Sequence, residues 1–210
     1  MRVRAACVGA TAALAVAAST AGAATRILTN GGFEQPKVRV ATQIPIDGSL
    51  GTCVPGTARQ CWLVRPTPAS NVGVATIVPQ SVLLPRAGKQ SLALGDGTSA
   101  VTAIQSFDAT EGRTYKVTLW VAGDPAFQGM ETMTAFWGNI DQHGNTLPGG
   151  AAVPITIDTT GHSPTSMGWT KHTFTVATVP GTIEARLYLQ STTSTGLGTL
   201  GPLVDQVSVK

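Results

Sequence analysis

The sequence predicts an all-β protein built as a sandwich of two antiparallel sheets, and three observations predict it. Apolar and polar residues alternate at a period of two over most of the chain beyond the leader, the pattern of strands buried on one face. Clusters of Gly, Pro, Asn and Asp separate those runs, as tight turns require. Outside the leader no stretch carries an apolar stripe at helical spacing. Composition agrees: of 210 residues 24 are Gly and 13 Pro, with 42% hydrophobic and 12% charged. So little charge excludes a disordered chain, and glycines without a three-residue period exclude a collagen-like one.

The first segment reads as a targeting signal. Met1-Arg-Val-Arg is basic, 5–18 is Ala-rich and apolar, and Ala21-Gly22-Ala23 has the small-x-small form of a cleavage site. A signal peptide over 1–23 and a single domain over 24–210 are therefore expected. The product is expected to be secreted, extracellular or periplasmic, without membrane insertion, because a spanning helix needs about 20 strongly apolar residues. The leader removes Arg2 and Arg4, so Lys plus Arg falls from 14 to 12 against 11 Asp plus Glu. Such near-neutrality gives no electrostatic case for nucleic acid or an anionic membrane as partner.

Next comes 37–70, rich in Pro and Gly and read as a long surface excursion. It holds Cys53 and Cys61, which are expected to pair in an oxidising compartment. That bridge is worth roughly 2.5 kcal/mol in the chain-entropy model. Zinc fits less well, since His143, His162 and His172 stand at no ligand spacing. Strands are predicted at 91–94, 101–107, 115–122, 133–137, 172–176, 185–190 and 203–209. In Tyr115-Lys-Val-Thr-Leu-Trp-Val-Ala122 the odd positions face inward, leaving Lys116, Thr118 and Trp120 outside. In Ala185-Arg-Leu-Tyr-Leu-Gln190 the outward set is Arg186, Tyr188 and Gln190.

Enzyme motifs fail on context. Gly196-Leu-Gly-Thr-Leu-Gly201 matches a dinucleotide-binding turn, yet Pro202 and a strand follow where a helix must begin. Gly161-His162-Ser163 opens like a nucleophile elbow but runs into Pro164. Asp96, Asp108, Glu111, Asp124, Asp141 and Asp158 fall at turns or strand ends, positions typical of solvated carboxylates. Neither a catalytic residue nor an enzymatic activity is expected, although an acid pair assembled in space is the alternative a hydrolase would need.

The aromatic residues point elsewhere, because sugar C–H faces stack on rings while hydroxyls bond nearby polar groups. If their strands share a sheet, Trp120, Tyr188, Lys116, Thr118, Arg186 and Gln190 line one glycan groove. Otherwise they are half-buried sheet residues or lie beneath the 37–70 excursion. Trp62 is open between a loop-tip contact and a lid, Trp137 fits either face, and Trp169 reads as packing at a strand entrance.

Leu28-Thr-Asn-Gly-Gly-Phe-Glu34, Gly112-Arg-Thr-Tyr-Lys-Val-Thr-Leu-Trp-Val-Ala-Gly-Asp-Pro125, Asp158-Thr-Thr-Gly161 with Met167-Gly-Trp-Thr170, and Gly201-Pro-Leu-Val-Asp-Gln-Val-Ser-Val209 occur in that order. In this the chain resembles the choice-of-anchor C family of exported bacterial proteins. That family is similar to a domain of unknown function in plant cell-wall proteins and, more distantly, to galactose-binding-like carbohydrate-binding modules. The resemblance implies a jelly-roll β-sandwich without known catalytic residues that binds envelope, matrix or wall polysaccharide. It also implies a structural calcium held by Glu34 and Asp205; the alternative is that both carboxylates hydrogen-bond backbone groups. The chain departs from relatives in its Cys53–Cys61 insertion and in Val204-Asp205, where relatives have Leu-Asp. It stops at Lys210 without their sorting tail, so a freely secreted form is expected. Affinity in so shallow a site is expected to be weak, roughly micromolar to millimolar. A structural or adhesion protein that binds another protein is the second reading.

Overall fold

The computed structural model describes residues 27–45, 48–50, 61–67, 73–96, 99–192 and 200–210. The expected signal peptide, Cys53 and most of the Gly196–Gly201 motif lie outside the described residues. The strands are β1 (Thr42–Pro45), β2 (Ser49–Leu50), β3 (Trp62–Pro66), β4 (Val74–Pro79), β5 (Gln90–Leu94) and β6 (Val101–Asp108). They continue with β7 (Thr114–Ala122), β8 (Met130–Ile140), β9 (Thr146–Asp158), β10 (Thr170–Ala177), β11 (Glu184–Ser191) and β12 (Leu203–Val209). No helix occurs among the described residues. All pairings are antiparallel, in a first sheet ordered β1-β4-β5-β12-β7-β10 and a second ordered β2-β3-β6-β11-β8-β9.

Alternation decides which side chains enter the layer between the sheets. From β7 come Tyr115, Val117, Leu119 and Val121, all buried, and from β11 Ala185, Leu187 and Leu189. Phe107, Tyr115 and Trp137 meet there with ring centroids 5.3 to 6.0 Å apart and tilted, a geometry that satisfies the ring quadrupoles. Trp137 therefore faces inward, its indole N–H donating to Asn139 Oδ1 at 3.0 Å.

The stretch 37–70 corrects its sequence reading. It contributes β1, β2 and β3, and Leu50, Trp62 and Val64 are fully buried in the common core. Trp62 is thus neither loop tip nor lid; its ring lies 5.4 Å from Phe33. Short strands interrupted by Pro and Gly carry too few alternations to stand out in sequence. Cys61 is likewise fully buried.

The Asn30-Gly-Gly-Phe segment ties the first described residues to the last strand. Phe33, fully buried, is held at φ 56° by a turn in which its N–H donates to the Asn30 carbonyl at 2.9 Å. The Val207 N–H donates to the Gly31 carbonyl at 2.7 Å, and a Cβ on Gly31 would collide with the Val207 backbone. Gly31 is therefore required by close approach. β12 answers with an irregularity between Asp205 and Ser208 and Gln206 at φ 49°.

Candidate functional site

The outer face of the second sheet presents an ordered set of side chains. Strand register aligns Leu63, Ile104, Tyr188, Phe136 and Ala152 in one row across β3, β6, β11, β8 and β9. A neighbouring row runs Arg65, Thr102, Gln190, Thr134 and Pro154. On the other side stand Ser106, Arg186 and Gly138. Tyr188 is half-buried between Ile104 and Phe136, also half-buried. The missing side chain of Gly138 makes room for its ring, since a Cβ there would lie 3.3 Å from Tyr188 Cε2.

Of these residues, Arg65, Thr102, Ile104, Phe136, Gly138, Tyr188 and Gln190 line a groove of about 400 Å³, with Arg65, Thr102 and Gln190 on its polar side and Arg186 outside it. Arg186 Nε donates to Glu184 Oε1 at 2.7 Å, and the guanidinium also bonds the Tyr188 phenol. Burial opposes its charge, but Glu184 and Tyr188 outweigh that and hold it more firmly protonated than usual. The result is an apolar, ring-bearing stripe edged by hydrogen-bonding groups. Such a surface suits a ligand with apolar faces and polar rims.

The six predicted ligand-binding residues do not form one groove. Arg186, Tyr188 and Gln190 lie on the second sheet, whereas Lys116, Thr118 and Trp120 lie on β7 of the first. Both triplets point outward as predicted, on opposite surfaces of the sandwich, with its core between them. Trp120 is half-buried, and the Arg86 guanidinium sits 4.1 Å from its ring centroid. Beside it, 80–89 and 162–169 fold over the first sheet around Val78, Leu83, Ala93, Ala122, Met167 and Leu203. Trp169 packs on this cluster, its indole N–H donating to the Leu84 carbonyl at 3.0 Å. Sequence reasoning missed Arg65, Thr102, Ile104 and Phe136; the outward phase of 101–107 and 133–137 was the available signal for the last three.

Glu34 and Asp205, the expected metal ligands, do come together. Glu34 Oε1 accepts the Lys89 and Gln90 N–H groups at 2.8 and 3.3 Å. Asp205 accepts Ala87 N–H at 3.0 Å and Gln206 N–H at 2.6 Å on separate oxygens. Burial, with the nearby Glu34 charge adding to it, pushes the Asp205 carboxyl up to about 6 against the pull of those amides. No Lys or Arg pairs with either carboxylate among the described residues. No group of three acidic, His or Cys side chains converges among the described residues. Both carboxylates thus hydrogen-bond backbone groups, the alternative to a metal site; they are also the oxygen donors that would hold a hard cation, with backbone carbonyls or water completing its shell.

A second buried acid stands at the start of β8. Glu131 is fully buried; its Oε1 accepts Asp124 N–H at 3.1 Å, and its Oε2 has no partner. Burial drives its carboxyl up to about 8, against that amide bond and with help from the Asp124 charge.

Solved structures share this architecture. The CBM22-1–GH10 modules of the Clostridium thermocellum N-terminal endo-1,4-β-D-xylanase 10B, complexed with xylohexaose, match with a TM-score of 0.54. That match covers 90% of this chain and 29% of that one at 12% identity. The fold is a jelly-roll β-sandwich. The N-terminal CBM22-1–CBM22-2 tandem domain of Paenibacillus barcinonensis Xyn10C matches at 0.51, covering 92% of this chain and 46% of that one at 16% identity. A cyclase from Fischerella sp. TAU matches at 0.53, covering 88% and 96% at 13% identity. The chain thus spans less than half of either of the first two structures. No family model matches the sequence, and no curated protein matches it.

Proposed function

We propose that the protein is an exported, non-catalytic module that binds a polysaccharide of an envelope, matrix or wall along the outer face of its second sheet. One observation carries the reading: Tyr188, Phe136 and Ile104 form a continuous apolar row in a groove whose polar side is Arg65, Thr102 and Gln190. Sugar rings offer alternating apolar and hydroxylated edges that match such a surface. The xylohexaose-bound neighbour of the same fold supports it. The order of motifs supports kinship with choice-of-anchor C proteins, and the leader supports secretion. A Cys53–Cys61 bridge and a calcium on Glu34 and Asp205 belong to the same proposal.

Affinity electrophoresis through gels containing xylan, galactan or mixed-linkage β-glucan tests it. Retardation by at least one glycan is expected, weakened about tenfold by Tyr188→Ala, a loss of order one stacking contact, at unchanged melting temperature. Migration of the unaltered protein unaffected by every glycan overturns the reading.

A further inference from the structure

The opposite surface carries a second arrangement that the groove does not use. Lys116 faces Thr175 across β7 and β10 and exchanges backbone hydrogen bonds of 2.9 and 3.1 Å with Lys210, which sets two lysines side by side. The next row outward along β7 is Thr173, Thr118 and Ser208, with the two threonine hydroxyls 3.2 Å apart. The row after that is Lys171, Trp120 and Asp205, with Arg86 over the indole. Lys116, Lys171, Lys210 and Arg86 are exposed, and among the described residues none is in an ion pair. Of the acids on this side, Asp205 is fully buried and Glu34 is part-exposed with its Oε1 accepting two backbone amides, so four cations stand against two carboxylates.

Like charges on directly opposed strand positions repel, so this face holds a cost that a bound polyanion removes. The cations flank a row of hydroxyls, and the two charged rows of β7 stand about 13 Å apart, four residues along a strand. We propose that this face binds a polyuronate, a polysaccharide bearing a carboxylate on each sugar. Arg86 and the lysines meet the carboxylates, while Thr118, Thr173 and Ser208 meet the sugar hydroxyls. The one aromatic ring among these residues, Trp120, already carries Arg86 and leaves no free platform for a base to stack on, which favours a sugar polymer over a single-stranded nucleic acid. The proposal does not rest on the groove of the second sheet.

Calorimetric titration with polygalacturonate tests it, with fully methyl-esterified polygalacturonate and single-stranded DNA as the other arms. Binding to the free acid is expected, absent for the ester and weakened by added salt. The double variant Lys116→Gln, Lys171→Gln should lose about fivefold in affinity, as two exposed charge contacts are worth, at unchanged melting temperature. Tyr188→Ala should bind the free acid as the unaltered protein does. Equal binding of acid and ester, an unaffected double variant, loss in Tyr188→Ala alone, or DNA bound as tightly as the uronate each overturns the proposal.

Discussion

Tyr188 and Trp120 show how much a single side chain owes to its neighbours. Both point outward from their strands, as alternation predicts, but Tyr188 lies between Ile104 and Phe136 in an open groove. Trp120 lies under a guanidinium. Replacing Phe136 by Ala should weaken glycan retention by about the margin of one stacking contact, roughly 0.5–1.5 kcal/mol, read from the same gels. Glu131 makes a different prediction. Its carboxyl titrates near 8 in the folded chain and near the ordinary carboxylate range when unfolded, so between those values the folded state holds the extra proton. Stability therefore falls as pH rises from about 4.5 to about 8. Glu131→Gln should remove that slope and raise the melting temperature at pH 9 by about 3 °C or more, since 1 kcal/mol is worth roughly 2–4 °C at this size. A scan of melting temperature against pH for both proteins reads it.

At the scale of elements, β7 and β11 were legible because eight residues in each alternate without a break. β3 and β4 were not. β3 is short and ends at Pro66, and β4 is almost wholly buried along its length, so neither shows the two-faced pattern. β9 was hidden by Pro148-Gly149-Gly150, which reads as a turn yet lies within the strand beside the register shift after Trp137. Sheet membership was illegible for every strand, because facing is a local property while strand order depends on distant pairings. That is why the six residues expected to bind ligand divide between two surfaces: the condition that their strands share a sheet is not met. β8 also yields a prediction: Asn139, fully buried, accepts the Trp137 indole N–H. Asn139→Ala leaves that donor unsatisfied and should cost about 1–3 kcal/mol, measured by denaturant unfolding.

Across the whole molecule, Glu34 in the first described segment and Asp205 in the last strand both hydrogen-bond the 87–90 stretch, which ties the two segments to one loop. Calcium should raise the melting temperature and chelator lower it; an unchanged value in both removes the metal. Gly88 sits at φ 71° against Glu34, where a Cβ would strike Oε1. Gly88→Ala should therefore abolish the calcium response.

The placement of β12 has a kinetic consequence. It is the last strand in sequence, yet it lies between β5 and β7 near the middle of the first sheet. Until residues 203–209 arrive, those two strands face each other across an empty slot, each with a bare row of amides and carbonyls. Refolding should consequently be slow and cooperative, and a chain truncated before Leu203 should stick to its own copies through the gap.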